Sequence, residues 1–367
     1  MKRTITFLLA AAAVGSVTAP LMHAQGCVVA RSNGEAGGPD GEGGYLTPGE
    51  FEVNTSYRHQ FSFRHYVGDV EQTQRIAAGT QVENKINLEN INLTYQLTSR
   101  FSVSADVPVL SASRHSNNSA AMQFAHGIGD TSFMVSGWLW NPKENHRGNV
   151  QIGFGLQLPT GNDRVVSYPD SRNGKTPVAT YDDYSIQPGS GGYGLIMQWT
   201  AFKNVKAAQI YFNGSYLATP QEQNNYLRNA TTSPTSPTAY YSISDQYLVQ
   251  AGIAVPVRKI RGLTVTLGPR WEGVPAKDLI GDNLGFRRPG YALSIEPGFQ
   301  YYYKNNAFTF SVGKALYRNR TVSYPDSLSG GHGDAAFADY VWLASYSFRV
   351  NPFHKHSTVA SASAHHM

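Results

Sequence analysis

The ten residues Phe101-Ser102-Val103-Ser104-Ala105-Asp106-Val107-Pro108-Val109-Leu110 decide the fold class. Phe101, Val103, Ala105, Val107 and Val109 fall on one side of an extended chain, and Ser102, Ser104, Asp106 and Pro108 on the other. That period of two marks a β-strand with one apolar and one polar face. Val150 to Leu158 repeats it, with Val150, Ile152, Phe154, Leu156 and Leu158 set against Gln151, Gly153, Gly155 and Gln157. Working outward, the same rhythm predicts twelve strands, at 50–66, 84–97, 101–113, 129–141, 148–160, 192–202, 207–218, 243–257, 262–275, 290–303, 307–318 and 338–350.

The connections between them alternate. Thr98-Ser99-Arg100, Pro142 to Arg147, Lys203 to Lys206, Arg258 to Arg261 and Lys304-Asn305-Asn306 are short. Segments 67–83, 161–191, 219–242 and 319–337 are long and rich in Gly, Ser, Asn and Pro. Membrane barrels place short turns on the periplasmic side and long loops outside, so both termini are expected in the periplasm. Periodicity does not say which face is inside, because a soluble barrel or sandwich would bury the apolar one. The leader and the aromatic residues tip the choice. Lys2 and Arg3 precede an apolar run from Phe7 to Val17, with Ala24 as a cleavage point, the pattern of a secretory signal peptide. Phe61, Phe63, Tyr66, Trp138, Trp140, Trp199, Tyr301, Tyr303, Tyr340, Trp342, Tyr346 and Phe348 lie near predicted strand ends, where interfacial girdles form. Mean hydropathy is −0.34, with 22 Tyr, 17 Phe and 36 Gly. No stretch beyond the leader approaches the roughly 20 apolar residues of a transmembrane helix. The expected fold is an all-β, transmembrane antiparallel β-barrel of about twelve strands in the bacterial outer membrane.

This divides the chain into a signal peptide (1–24), a flexible Gly-rich segment (25–48), the barrel (49–350) and a C-terminal tail (351–367). The final strand, Tyr340 to Phe348, resembles the aromatic signal by which barrels reach their assembly machinery, although a tail follows it. Cys27 is the only cysteine, so no internal disulfide is available. In Ala24-Gln25-Gly26-Cys27 it is either the acylated first residue of a lipoprotein or an ordinary residue beyond cleavage near Ala24. The net charge of +5 is spread along the chain without a basic, aromatic-interleaved cluster, which gives no sign of a nucleic-acid partner.

Parity nominates lumen residues: Arg58, Arg64, Asp106, Gln157, Gln209, Arg270, Glu296 and Arg318, with Gln151, Gln198, Asn213, Gln250 and Gln300 on the same face. Charges there would select solutes by field and size, or pair and fill the narrow lumen. A near-repeat, Arg164-Val165-Val166-Ser167-Tyr168-Pro169-Asp170-Ser171 and Arg320-Thr321-Val322-Ser323-Tyr324-Pro325-Asp326-Ser327, follows the fifth strand of each half. Tyr168, Asp170, Tyr324 and Asp326 are outer-loop binding candidates from matched loops, but Tyr-Pro-Asp-Ser is also simply a good turn sequence. Ser113 to Ser119 holds Ser, His and Asn types, including His115 and Ser116, that raise the alternative of a lipid hydrolase. Neighbours in one loop rarely achieve triad geometry, and no catalytic residue is assigned. Asp182, Asp183, Asp334 and Asp339 lack the spacing of a calcium loop. No phosphate loop, zinc spacing or nucleophile elbow appears, and no cofactor or metal is expected.

Three of these stretches carry a resemblance. Phe101 to Leu110 with its Asp-Val-Pro, Gly127-Ile128-Gly129-Asp130-Thr131, and Leu156-Gln157-Leu158-Pro159-Thr160-Gly161 resemble the family of barrels named for the MetA pathway of phenol degradation, over about 45–350. The resemblance implies a channel or transporter in outer-membrane lipid for small hydrophobic or aromatic solutes. The Tyr-Pro-Asp-Ser loops and the tail depart from it. A lipid hydrolase and a filled structural barrel that binds through its outer loops remain the alternatives.

Overall fold

Alternating segments of this length cannot leave their backbone groups unpaired in a bilayer, and the chain resolves this by closing on itself. A computed structural model describes residues 45–116, 122–168, 180–228 and 233–352. Twelve strands form the wall: β1 (Phe51–Val67), β2 (Val82–Gln96), β3 (Phe101–Ser116), β4 in two pieces (Met122–Ile128 and Ser132–Trp138), β5 (Gly148–Gln157), β6 (Gly194–Val205), β7 (Ala208–Ala218), β8 (Gln246–Pro256), β9 (Leu263–Val274), β10 (Gly290–Tyr303), β11 (Asn306–Asn319) and β12 (Ala335–Val350). Each pairs antiparallel with its sequence neighbours, and β12 returns to β1. The closing register runs from Phe51 opposite Val350 to Tyr66 opposite Ala335, with irregularities between Gln60 and Arg64. Candidates Cys27 and Asp170, the leader and residues 353–367 of the tail lie outside the described residues.

The faces are inverted relative to a soluble protein. Phe154, Leu156, Leu267 and Ile253 are more than half exposed on the outside, whereas Arg58, Gln157, Gln209, Arg270 and Glu296 are buried within. An exposed apolar wall around a buried polar interior is what lipid on one side and a lumen on the other require. Aromatic rings band the wall at two levels. At the long-loop rim Tyr247, Trp271, Tyr291 and Tyr317 form a chain across β8 to β11, with centroids 5.2, 6.0 and 5.9 Å apart. At the short-turn rim Phe51 meets Tyr95 at 4.5 Å and Phe308 meets Tyr346 at 4.9 Å. Glycines make room for such rings: a Cβ at Gly214 would stand 2.2 Å from the Trp199 ring.

Twelve strands, their order and the asymmetry of loops match the expectation, and three details differ. Both aromatics expected in girdles at Tyr66 and Trp138 turn inward, Tyr66 being buried against Phe337 and Trp138 packing on Tyr45 and Phe202. The β6–β7 turn is tighter than the expected Lys203 to Lys206, because β6 runs on to Val205 and Lys206 takes a left-handed φ of 55°. The fourth strand starts earlier than 129 and is broken at Gly129-Asp130-Thr131.

Phe154 stands six residues above the short-turn end of β5; at about 3.3 Å per residue and a tilt near 40° that is ~15 Å, well inside the ~25 Å apolar band. Phe154→Arg should cost about 2–4 kcal/mol of folding stability in lipid vesicles, whereas Gln151→Arg, facing the lumen, should cost much less. Urea titration of both refolded variants checks this, and equal losses would mean the faces are assigned wrongly.

Candidate functional site

The lumen is built in layers, and the middle one is ionic. Side chains that point inward from a narrow barrel meet across it, and charges there are stable only when paired. Arg58 of β1 reaches across to Glu272 of β9 with two bonds, Nη1–Oε2 at 3.0 Å and Nη2–Oε1 at 2.9 Å. Arg270 binds the same carboxylate through Nε at 3.0 Å and Nη2 at 2.8 Å. Its Nη1 reaches Glu296 on β10 at 3.2 Å. Gln250 and Ser311 donate to the other oxygen of Glu296, at 3.1 and 2.7 Å. Gln60 accepts from Arg58. Two arginines thus face two glutamates and the layer is neutral. Because β1 and β9 are not adjacent in the sheet, the Arg58–Glu272 bridge is a chord through the lumen. Parity found Arg58, Arg270 and Glu296. It also reaches Glu272, two residues past Arg270, which sequence reasoning passed over.

The other lumen candidates sit apart from this layer. Asp106 is on the lumen side of β3, and Gln209 donates to Asn204 at 3.0 Å near the short-turn rim. Gln157 donates to Asp130 at 3.3 Å. Arg64 and Arg318 belong to the long-loop rim, where both bind Asp339 and Arg64 also binds Glu71 at 2.7 Å. Below the ionic layer the lumen is aromatic, with Tyr45 against Trp138 at 5.1 Å and Phe202 packed on Tyr211.

Above it the polarity reverses. Ile86 and Leu88 of β2, Leu110 and Ala112 of β3, and Ala125 of β4 face inward and are buried with Ile186 from the loop at 158–193. Outward on the same strands stand Lys85, Asn87 and Glu89, with Tyr57 and His59 both bonded to the Asn87 Oδ1 at 2.9 and 2.7 Å. This apolar cluster adjoins the break in β4. Ser132–Trp138 pairs with β3 and β5, but Met122–Ile128 pairs with β3 alone. Buried Asp130 at the break latches the neighbouring loop, accepting from Gly161 N at 3.0 Å, Ser190 N at 2.9 Å and Ser190 Oγ at 2.6 Å. The motif Gly127 to Thr131 was read as the opening of a strand. In the structure it is a hinge within one.

Loops cover the cluster. Asp183 binds Arg288 with two bonds at 2.9 and 2.8 Å and lies 3.5 Å from Arg114. Burial alone would raise the Asp183 carboxyl, but Arg114 and Arg288 hold it well below the usual carboxylate range. Asp334 pairs with His65 and Arg75, both within 2.8 Å. The aspartates weighed for calcium therefore serve cations of the protein itself, except Asp182, which is buried and pushed up to about 6 by burial. The two copies of the repeat differ. Val166–Ser167 pairs with Thr180–Tyr181 and Tyr168 is exposed. Tyr324–Ser329 is a short helix capped reciprocally by Ser323 and Asp326, and Asp326 also binds Arg320 at 2.8 Å. Asp326 is thus a cap and an ion-pair partner, while Tyr324 lies under Lys277 at 5.6 Å; residues 169–171 of the first copy lie outside the described residues. His115 and Ser116 are consecutive in β3 and point to opposite faces of the wall, so they cannot act together as a hydrolytic pair.

No family model matches the chain and no curated protein matches it in sequence; the likeness to the phenol-degradation family rests on its three short motifs. Among solved structures, the COG4313 outer membrane channel from Pseudomonas putida F1 has 13% identity over 88% of this chain and 100% of its own, with a TM-score of 0.57. The P. putida toluene transporter TodX (9%, 90% and 96%, 0.41) and a Pseudomonas aeruginosa FadL homologue (9%, 92% and 100%, 0.41) overlap more loosely. The chain has the fold of an outer-membrane β-barrel.

Glu272 is the pivot of the ionic layer. Glu272→Gln leaves two buried guanidiniums short of a counter-charge and should cost about 3–5 kcal/mol. The double variant Arg58→Met/Glu272→Met should cost less than the two single changes added together. Additive losses in equilibrium unfolding would show that the bridge does not form.

Proposed function

We propose that the protein is an outer-membrane channel or transporter that admits small hydrophobic or aromatic solutes. One observation carries this reading: the outer lumen is lined by Ile86, Leu88, Leu110, Ala112, Ala125 and Ile186, in a barrel whose other lumen-facing positions are largely polar. An inward apolar cluster at this level, beside a layer of paired charges, suits the passage of a poorly soluble solute better than that of an ion. The neighbouring half of β4, paired on one side only, gives such a solute a wall segment that is held by the Asp130 latch rather than by a full ladder. The fold, the leader and the motif resemblance support the same compartment, with outer-membrane lipid around the wall and the assembly machinery as the partner of the terminal strand.

A filled barrel that only binds through its loops is the second reading, favoured by the Arg58–Glu272 chord across the lumen. Uptake separates the two. In cells that produce the protein, radiolabelled toluene should enter faster than in cells that lack it. Leu110→Asp should cut the protein-dependent rate by at least about tenfold, since a desolvated carboxylate would stand in the apolar cluster. A rate independent of the protein, with the barrel shown to be folded in the membrane, would favour the filled barrel.

A further inference from the structure

Four elements bring rings and guanidiniums together at the loop-covered entrance. Tyr184 stacks on Tyr241 at 5.4 Å and 17°, and Tyr241 meets Phe286 edge-on at 5.9 Å. The Arg228 guanidinium lies 4.0 Å from the centre of the Phe286 ring, and Arg288 lies 4.9 Å from it. Arg114 from the end of β3 completes the set, and Asp183 is the carboxylate that pairs with both Arg114 and Arg288. Asp183 is used by Arg288 and Arg114, while Arg228 has no carboxylate partner among the described residues. Arg228 therefore adds positive charge without a paired carboxylate among the described residues, set against aromatic side chains.

That excess has a direction. Stacking on Phe286 occupies the flat face of Arg228 and leaves the N–H edge able to donate. Burial, and the nearby Arg288 charge, pull Arg228 below the ordinary arginine value, so an anion arriving there would relieve a cost already present. The 3-10 turn Tyr184–Ile186 joins the two clusters: Tyr184 stands in the ring cluster and Ile186 in the apolar cluster two residues later. A ligand with an anionic head at Arg228 would therefore have aromatic and then aliphatic surface along its body.

We infer that this entrance is a binding site for aromatic carboxylates, with the carboxylate on Arg228 and the ring against Phe286 and Tyr241. The inference rests on the solute-transport reading and narrows its substrate class. A planar carboxylate matches the guanidinium fork in a way a neutral arene does not, and the stacked tyrosines select a ring over an alkyl chain.

Isothermal titration of the full-length protein in detergent tests it, with benzoate as probe and benzyl alcohol as its neutral counterpart. Benzoate should bind more tightly than benzyl alcohol. Arg228→Met, which keeps an apolar stem on Phe286, should weaken benzoate by roughly 10- to 100-fold and leave benzyl alcohol unchanged. Arg228→Lys should recover part of the loss. Equal binding of the two probes, no benzoate binding by folded wild-type protein, or benzoate binding indifferent to Arg228→Met would each overturn the inference. Toluene uptake reports on the wider reading separately: if it persists while benzoate fails to bind, only the carboxylate site is lost.

Discussion

Inside a bilayer no water is available to a backbone N–H or C=O, and everything else in this structure depends on meeting that condition by closure. Pairing β12 with β1 along both strands removes the edges that the first and last strands would otherwise expose. Once the ring is closed, each strand has one face toward lipid and one toward a narrow interior, and period-two alternation assigns every side chain to one or the other. Phe154 and Leu156 go out; Gln157 and Arg270 go in. The interior charges then have little water and must satisfy one another, which produces the Arg58–Glu272–Arg270–Glu296 layer.

The same condition gives meaning to the places where the pattern is broken. On β2 and β3 the apolar residues Ile86, Leu88, Leu110 and Ala112 face inward while Lys85, Asn87 and Glu89 face out. Beside them β4 stops at Asp130, and its outer piece gives up one ladder. Both departures cost stability in a wall of this kind. They coincide with the loop-borne Ile186 and lie beside the ring cluster around Tyr241, and the proposed solute path rests on that coincidence.

How much of this was legible differs by kind of residue. Alternation located all twelve strands, since it reflects a constraint repeated at every position. It also placed Arg58, Arg270, Glu296 and Gln157 inside, because parity is a local property of a strand. Contacts across the lumen were not legible: nothing in sequence spacing says that Arg58 meets Glu272, 214 residues away. Loop chemistry was read least well. Arg228, Asp183 and the pair Phe286 and Arg288 come from three separate loops and gain their roles only when those loops fold over one mouth. The repeated Tyr-Pro-Asp-Ser looked like a matched pair, yet the second copy is a capped helix whose Asp326 serves Ser323 and Arg320. Of the first Tyr-Pro-Asp-Ser only Tyr168 lies among the described residues, so the second alone shows what the repeated sequence does there.

The central claim is that the lumen is closed to ions by paired charges and open to apolar solutes above them. Single-channel recording of the refolded protein in planar bilayers tests it most directly. Wild-type protein is expected to show no steady steps or only small ones, and Arg58→Ala/Glu272→Ala, which removes the chord, is expected to show larger steps. Large, stable ion currents through the wild-type protein would contradict the account, because an open aqueous pore leaves no role for the bridge.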